Sequence, residues 1–341
     1  MTVERAQIVG ARLAALRELI DSHDAGAIRL GARRNFCWAT LGGLSHVLLA
    51  TEAAVAPLIV TPEDAVVLAP INEHARLAEE ELAGLTLRTA SVPWWDPDAM
   101  DAELERLADG RRVLTEGDVV EELETLRSVL TPMEHGRLDE LSSVVLEASA
   151  AALQQAVPGA SEHAVAAAAA AVVAERGARL PVILVAADER IARYRHPLPS
   201  EQRVERRVMI VVVGERWGLH VAHTAFRDLA PPSADERRAA AALSGVLSAM
   251  REATRPGNTL GGVLVAAQAA YSAHGIGDEW QFHHQGGTIG YGARERIAVP
   301  TDTTLIRPGM AFAWNPSAVG HKLEETLYLD GSGQPHVLTS T

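Results

Sequence analysis

The sequence predicts a two-domain α+β protein, with a small α/β domain over residues 1–130 and a larger α+β domain over 131–341. Three observations predict it. Short apolar runs bounded by Gly, Pro and Asp mingle with helix-period segments up to residue 130. Thr131-Pro132-Met133-Glu134 is a capping box with proline at the first helical position, the signature of a helix launched afresh. Beyond it helices and strands fall into separate groups, which favours an antiparallel sheet over a βαβ winding.

Taken in order, Ile8, Ala11, Leu16, Leu19 and Ile20 recur at helical spacing and predict a helix over 4–22. Apolar runs at 26–30, 46–50, 56–61 and 65–69 predict strands. A polar helix is expected from Asn72 to Leu82, a strand at 111–115 and a helix from Val119 to Leu130. The capping box then opens a long amphipathic helix through Leu138, Leu141, Val145 and Ala148. An alanine-rich helix over 161–176 follows, started by Ser161 and stopped by Gly177. Strands are expected at 182–186, 208–213 and 219–225, helices at 234–252 and 261–273, and strands near 281, near 311 and from 323 onward. Gly286, Gly287 and Gly290 precede no Lys-Ser/Thr pair, so they read as a tight strand turn rather than a phosphate cradle.

Composition narrows the function classes. Of 341 residues, 48% are hydrophobic and 22% charged, which is the make-up of a globular chain and not of a disordered or collagen-like one. A net charge of −13 gives no electrostatic reason to seek phosphate backbones or anionic membranes, so neither is an expected partner. Cys37 is the only cysteine, which excludes an intrachain disulfide and a thiolate zinc cluster. Residues 1–10 do not read as a signal peptide, and the small-residue run Ala164 to Ala174 is too short to span a bilayer. The expected compartment is the cytoplasm.

Several polar residues stand out as candidates for chemistry. His196 lies among Arg193, Arg195 and Pro197, and an imidazole near cations is pushed towards the neutral, proton-accepting form that a general base needs. An ordinary surface-loop histidine is the bland alternative. His283-His284-Gln285 is a cluster that no core strand accommodates without partners, so it is expected to line a cavity. For His284 alone, a solvent-facing ring or a turn cap has equal standing. Arg294 and Lys322 are candidate partners for a carboxylate or oxyanion, whereas Glu295 and Glu325 read equally well as surface ion pairs. Phe36 reads as core, and Trp94-Trp95 as an aromatic loop cluster suited to a dimer contact.

In this order and spacing the residues resemble the creatinase and aminopeptidase P group, the pita-bread fold of the M24 peptidase clan. The anchors are the segment RRNFCWATLGG, His196-Pro197, GERWGL (214–219), His283 with the Gly-rich turn and Arg294-Glu295, Trp314-Asn315-Pro316, and Lys322-Leu323-Glu324-Glu325-Thr326. The resemblance covers nearly the whole chain. It implies a creatinase-like N-terminal domain, a C-terminal pita-bread catalytic domain, and a homodimer in which the first domain of one subunit reaches its neighbour's site. Arg34 and Trp38 thereby become substrate-binding candidates.

Metallopeptidases of this group hold two divalent metals through two Asp, one His and two Glu. Laid on that pattern, the five positions here are Val211, Ala222, His283, Asn315 and Glu324, so two ligands of five survive. Paired hard ions need several carboxylates to offset their charge, and no metal cofactor is therefore expected. The fallback is a mononuclear site of His220, His283 and Glu324, since His220 lies two residues before Ala222 on the same strand face; His223, of opposite parity, should face away. Creatinase works without metal, using a histidine at its His-x-Pro motif for proton transfer. His196 corresponds to it, although the intervening residue is missing here. Arg294 also matches, whereas Asn315 replaces a glutamate that grips the guanidinium, which argues against creatine.

The expected function is thus a metal-independent, creatinase-like enzyme acting on a C–N bond of a small polar substrate. Its catalytic residues would be His196, His283 and Glu324, with His284, Gln285, Arg294, Asn315, Lys322, Arg34 and Trp38 binding substrate. The alternatives are a divergent Xaa-Pro-type metallopeptidase with a reduced metal site and a non-catalytic pita-bread binding module.

Overall fold

A computed structural model describes residues 2–96 and 98–340, in two units that meet between Arg127 and Ser128. The first contains α1 (Thr2–Ser22), β1 (Ala27–Ala32), α2 (Arg33–Ala39), β2 (Ala53–Val60), β3 (Ala65–Pro70), α3 (Ile71–Arg76, continued by a π turn over Leu77–Glu81), β4 (Arg88–Val92), α4 (Ala99–Leu107) and β5 (Val113–Thr115), and closes on α5 (Val120–Ser128). The strands form one mixed sheet in the order β4-β3-β2-β1-β5, with parallel pairs at its two edges.

One expectation fails in this unit. Residues 46–50 form a loop that exposes Val47, Leu48 and Leu49. The reason is that β2 already pairs with β1 on one side and β3 on the other, which leaves the run no strand edge to join. Arg33 to Ala39 is helical, and Trp38, 2% exposed, packs in the core of its own unit with the Arg12 guanidinium 5.3 Å from its ring centre. Trp38 is thus enclosed in apolar packing, as Phe36 is. Arg34 is exposed on the same helix.

The second unit begins with α6 (Pro132–Gln155), α7 (Glu162–Glu175), β6 (Arg179–Ala187), α8 (Glu189–Arg193), β7 (Arg207–Arg216), β8 (Leu219–Asp228), α9 (Ala234–Ala253) and α10 (Leu260–Ala273). After a 3₁₀ turn over Glu279–Phe282 come β9 (Gly286–Ile289), β10 (Arg296–Ile297), β11 (Ala311–Trp314), β12 (Ser317–Ala318), β13 (His321–Lys322), β14 (Glu325–Leu329) and β15 (Pro335–Val337). The capping box forms, with the Thr131 hydroxyl accepting from the Glu134 N–H and the Glu134 carboxylate accepting from the Thr131 N–H at 2.8 Å. Such a cap contributes about 1 kcal/mol. The strand expected near 281 is the 3₁₀ turn, and pairing starts only at Gly286.

Two larger antiparallel sheets result, β6-β7-β8 and β10-β9-β11-β14-β15, beside the two-stranded pair β12-β13. α6 packs on β7 and β8, and close approach there demands Gly214, where a Cβ would stand 2.6 Å from Val145 Cγ2. Trp217 and Gly218 turn the β7–β8 hairpin with φ of 55° and 78°, the left-handed pair that matches the twist of the strands. α9 and α10 cover the second sheet through Leu243, Val246, Met250 and Tyr271 against Phe312 and Trp314. One side chain ties the sheets together: the Thr326 hydroxyl accepts from the Ala222 N–H at 2.9 Å and donates to the Ala222 carbonyl at 2.8 Å. No helix among the described residues is long and apolar enough to cross a membrane.

Candidate active site

The register of the β7–β8 hairpin sets Val213 opposite Ala222 and Val211 opposite Thr224, so these four side chains share one face. Val211 and Val213, with Val182 and Leu184 of β6, form the apolar wall of a cavity of about 120 Å³. His196, His284, Arg294, Asn315, Lys322 and Glu324 supply its polar side.

His196 reaches this pocket because its loop is fastened at several points. Buried Glu162 accepts from the Ala187 N–H at 2.8 Å, the Ser200 N–H at 2.9 Å and the Ser200 hydroxyl at 2.7 Å, and it pairs with Arg190. The Pro197 carbonyl accepts from Val185 of β6 at 3.2 Å. Arg195 pairs with Glu279 at 2.6 Å, in the turn that leads into His283. His196 Nε2 consequently lies 2.9 Å from His283 Nε2. The His283 ring also stacks on His284, with ring centres 4.4 Å apart.

Burial, reinforced by Lys322, holds His283 at a pKa of about 2. Burial with Arg294 and Lys322 holds His284 at about 4. His196 is lowered by burial, then by Lys322 and Arg294, against the opposing pull of Glu324. The cations that act on His196 are thus not its sequence neighbours. With both rings neutral, one Nε2 carries the proton and donates it to the other.

Glu324 is the single carboxylate of the pocket. Its Oε1 accepts from Arg294 at 2.7 Å and from the Asn315 amide at 3.4 Å, its Oε2 accepts from the Thr224 hydroxyl at 3.0 Å, and Lys322 Nζ stands 3.7 Å away. Burial opposes ionisation, but Lys322 and Arg294 outweigh it and bring the carboxyl to about 2. Burial also lowers the Lys322 amine, with Glu324 opposing. Thr224 escaped the sequence reading; its parity with Ala222 on β8 was the available signal.

Two other candidates, Gln285 and His220, are placed elsewhere. Gln285 is a brace: its Oε1 accepts from the Tyr271 hydroxyl at 2.7 Å, and its Nε2 donates to the carbonyls of Trp280 and His283 at 3.1 and 2.5 Å. With those bonds made it fixes His283 and does not line the cavity. His220 Nδ1 lies 3.0 Å from the Gly290 carbonyl, and His223 faces the opposite side, 3.0 Å from the Ser149 hydroxyl. His220, His283 and Glu324 do not converge. Among the described residues, three metal-competent side chains come within 4.8 Å of one another only at His196, His283 and His284.

Residues 134–334, more than half of the chain, match metallopeptidase family M24. The chain belongs to metallopeptidase family M24. Over 199 residues it is 29% identical to the probable dipeptidase PepE of Mycobacterium tuberculosis (strain ATCC 25618 / H37Rv), a match covering 57% of this chain and 52% of that relative. The chain thus spans about half the length of the curated relatives it matches. The prolidase from Pyrococcus horikoshii OT3 superposes with a TM-score of 0.78 at 19% identity, over 97% of this chain and 98% of that one. The N-terminal domain of FACT complex subunit SPT16 from Cicer arietinum superposes with a TM-score of 0.75 at 13% identity, over 98% and 96%. Both likenesses show the M24 pita-bread fold.

Whether this M24 member's residues suit the paired metals of its family follows from the site chemistry. Val211, Val213 and Ala222 offer no ligand atom, and both oxygens of Glu324 are engaged. Lys322 and Arg294 already place two positive charges beside that carboxylate. Two divalent ions would face net repulsion with almost no ligands, and these residues do not fit them.

Proposed function

We propose that this M24 member hydrolyses a C–N bond of a small polar substrate without a dinuclear metal centre, with His196 as general base and then general acid. The observation that carries the reading is the 2.9 Å contact between His196 and His283 at the mouth of a pocket whose cations are Lys322 and Arg294. His196, held neutral, takes a proton from water as the oxygen adds to the carbon of the C–N bond. His283, fixed through Gln285, orients the ring. Lys322 and Arg294, the cations of the pocket, hold the anionic end of the substrate, and His196 returns the proton to the departing nitrogen as the C–N bond breaks. Peptide cleavage, the activity named for the mycobacterial relatives, is one reaction of this type.

The test is turnover of a panel of Xaa-Pro dipeptides and small N-substituted amides by chelator-treated protein and by His196→Ala. The reading expects activity that survives chelation and is lost with His196. Activity abolished by the chelator and restored by a divalent metal would establish the second reading, a metal-dependent peptidase, which the three convergent imidazoles favour.

A further inference from the structure

We infer that the space between Lys322 and Arg294 binds the anionic end of the ligand, and that the ligand is a small aliphatic monocarboxylate bearing an N–H group. The inference rests on the hydrolase reading only in calling that ligand a substrate. The charged side chains lining the cavity are Lys322, Arg294 and Glu324, two cations against one anion. Glu324 cannot balance both, since its oxygens already accept from Arg294, Asn315 and Thr224, and Lys322 Nζ is left at 3.7 Å. An excess buried charge costs several kcal/mol unless it is compensated, and a monoanion restores neutrality.

The rest of the lining limits what that anion carries. Val182, Leu184, Val211 and Val213 form a wall that rewards burial of aliphatic surface and offers no polar contact. Asn315 Oδ1 and His284 Nδ1 are buried without a partner among the described residues, and both suit an N–H donor. A volume of about 120 Å³ holds on the order of four water molecules, which suits an acyl chain of four or five carbons and not a large peptide.

Isothermal titration of the full chain after chelator treatment, with isovalerate, its neutral isostere isovaleramide and the cation isoamylamine as probes, tests this. Isovalerate should bind at least about tenfold more tightly than isovaleramide, and isoamylamine should not compete. Lys322→Met should weaken isovalerate by a further factor of about ten. If that variant does not fold, the comparison of the three probes on the native chain stands alone. Equal affinity for acid and amide, tighter binding of the amine, no isovalerate binding at tens of millimolar, or binding that appears only on adding Zn²⁺ each overturns the inference. A fully active His196→Ala enzyme overturns the hydrolase reading instead and leaves the binding result in place.

Discussion

His196 Nε2 and His283 Nε2 lie 2.9 Å apart although 87 positions separate them in the chain. The contact is assembled from independent anchors: Glu162 under one loop, Gln285 under the other, and the Arg195–Glu279 pair between them. An imidazole held this way enters a reaction already oriented, which is the geometric condition for efficient proton transfer.

Replacing His196 by alanine should therefore lower turnover by roughly 10²–10⁴-fold, the usual loss for a general acid or base. Its thermal midpoint should hardly move, because the ring sits at the pocket mouth and packs little. Steady-state kinetics beside a thermal melt checks both, and an active variant means another group moves the proton.

Glu324→Gln should behave in the opposite manner. It leaves the buried Lys322 amine and the Arg294 guanidinium without their shared counter-charge, and breaking a buried pair costs about 3–5 kcal/mol. Denaturant titration should show that loss. A change below about 1 kcal/mol would mean that Glu324 does not offset those cations.

Acid should weaken the fold early. His283 titrates at about 2, and His284 and His321 at about 4, all held down chiefly by burial, whereas an unfolded histidine titrates near 6.5. As pH falls the unfolded chain takes up these protons first, so stability is full above about 6.5 and is lost progressively below it. Glu324, depressed to about 2, adds to the same trend below about 4.5. Thermal midpoints that stay level from pH 7 to pH 5 would contradict this.

Elemental analysis of purified protein should find less than about one transition metal ion per chain, because the three apolar or amide positions supply no carboxylate. Two tightly held ions per chain would show that ligands are recruited from elsewhere.

Light scattering should report about twice the 36.3 kDa chain mass. Trp94 and Trp95 lie edge to face at 5.7 Å and are 69% and 64% exposed, a patch suited to burial between copies. A monomer would withdraw Arg34 from the substrate-binding candidates.

What could be read from the chain alone was set by how local the determining physics is. The capping box at Thr131, the long helix after it and the antiparallel character of the second unit follow from spacing over a few residues, and they stand as read. The strand expected at 46–50 failed because pairing partners, not apolarity, decide whether a run becomes a strand. Gln285 had the look of a pocket residue, but Tyr271, fourteen residues earlier, claims its amide oxygen. The sequence points to Arg193 and Arg195 as the cause of a neutral His196; burial is the main cause, and the cations that add to it, Lys322 and Arg294, are about a hundred residues away and invisible to any local window.

The Lys322–Glu324–Arg294 cluster also constrains the history and the engineering of this site. An aspartate introduced at Val211, which shares the pocket with Lys322 and Arg294, would form an ion pair with those cations. Removing the cations first would expose Glu324 as a lone buried anion. Each single step towards a metal centre is thus penalised by the state of the others, so the substitutions are epistatic and their order matters. A path to a dinuclear centre requires paired replacements, carboxylate for valine together with neutral for lysine.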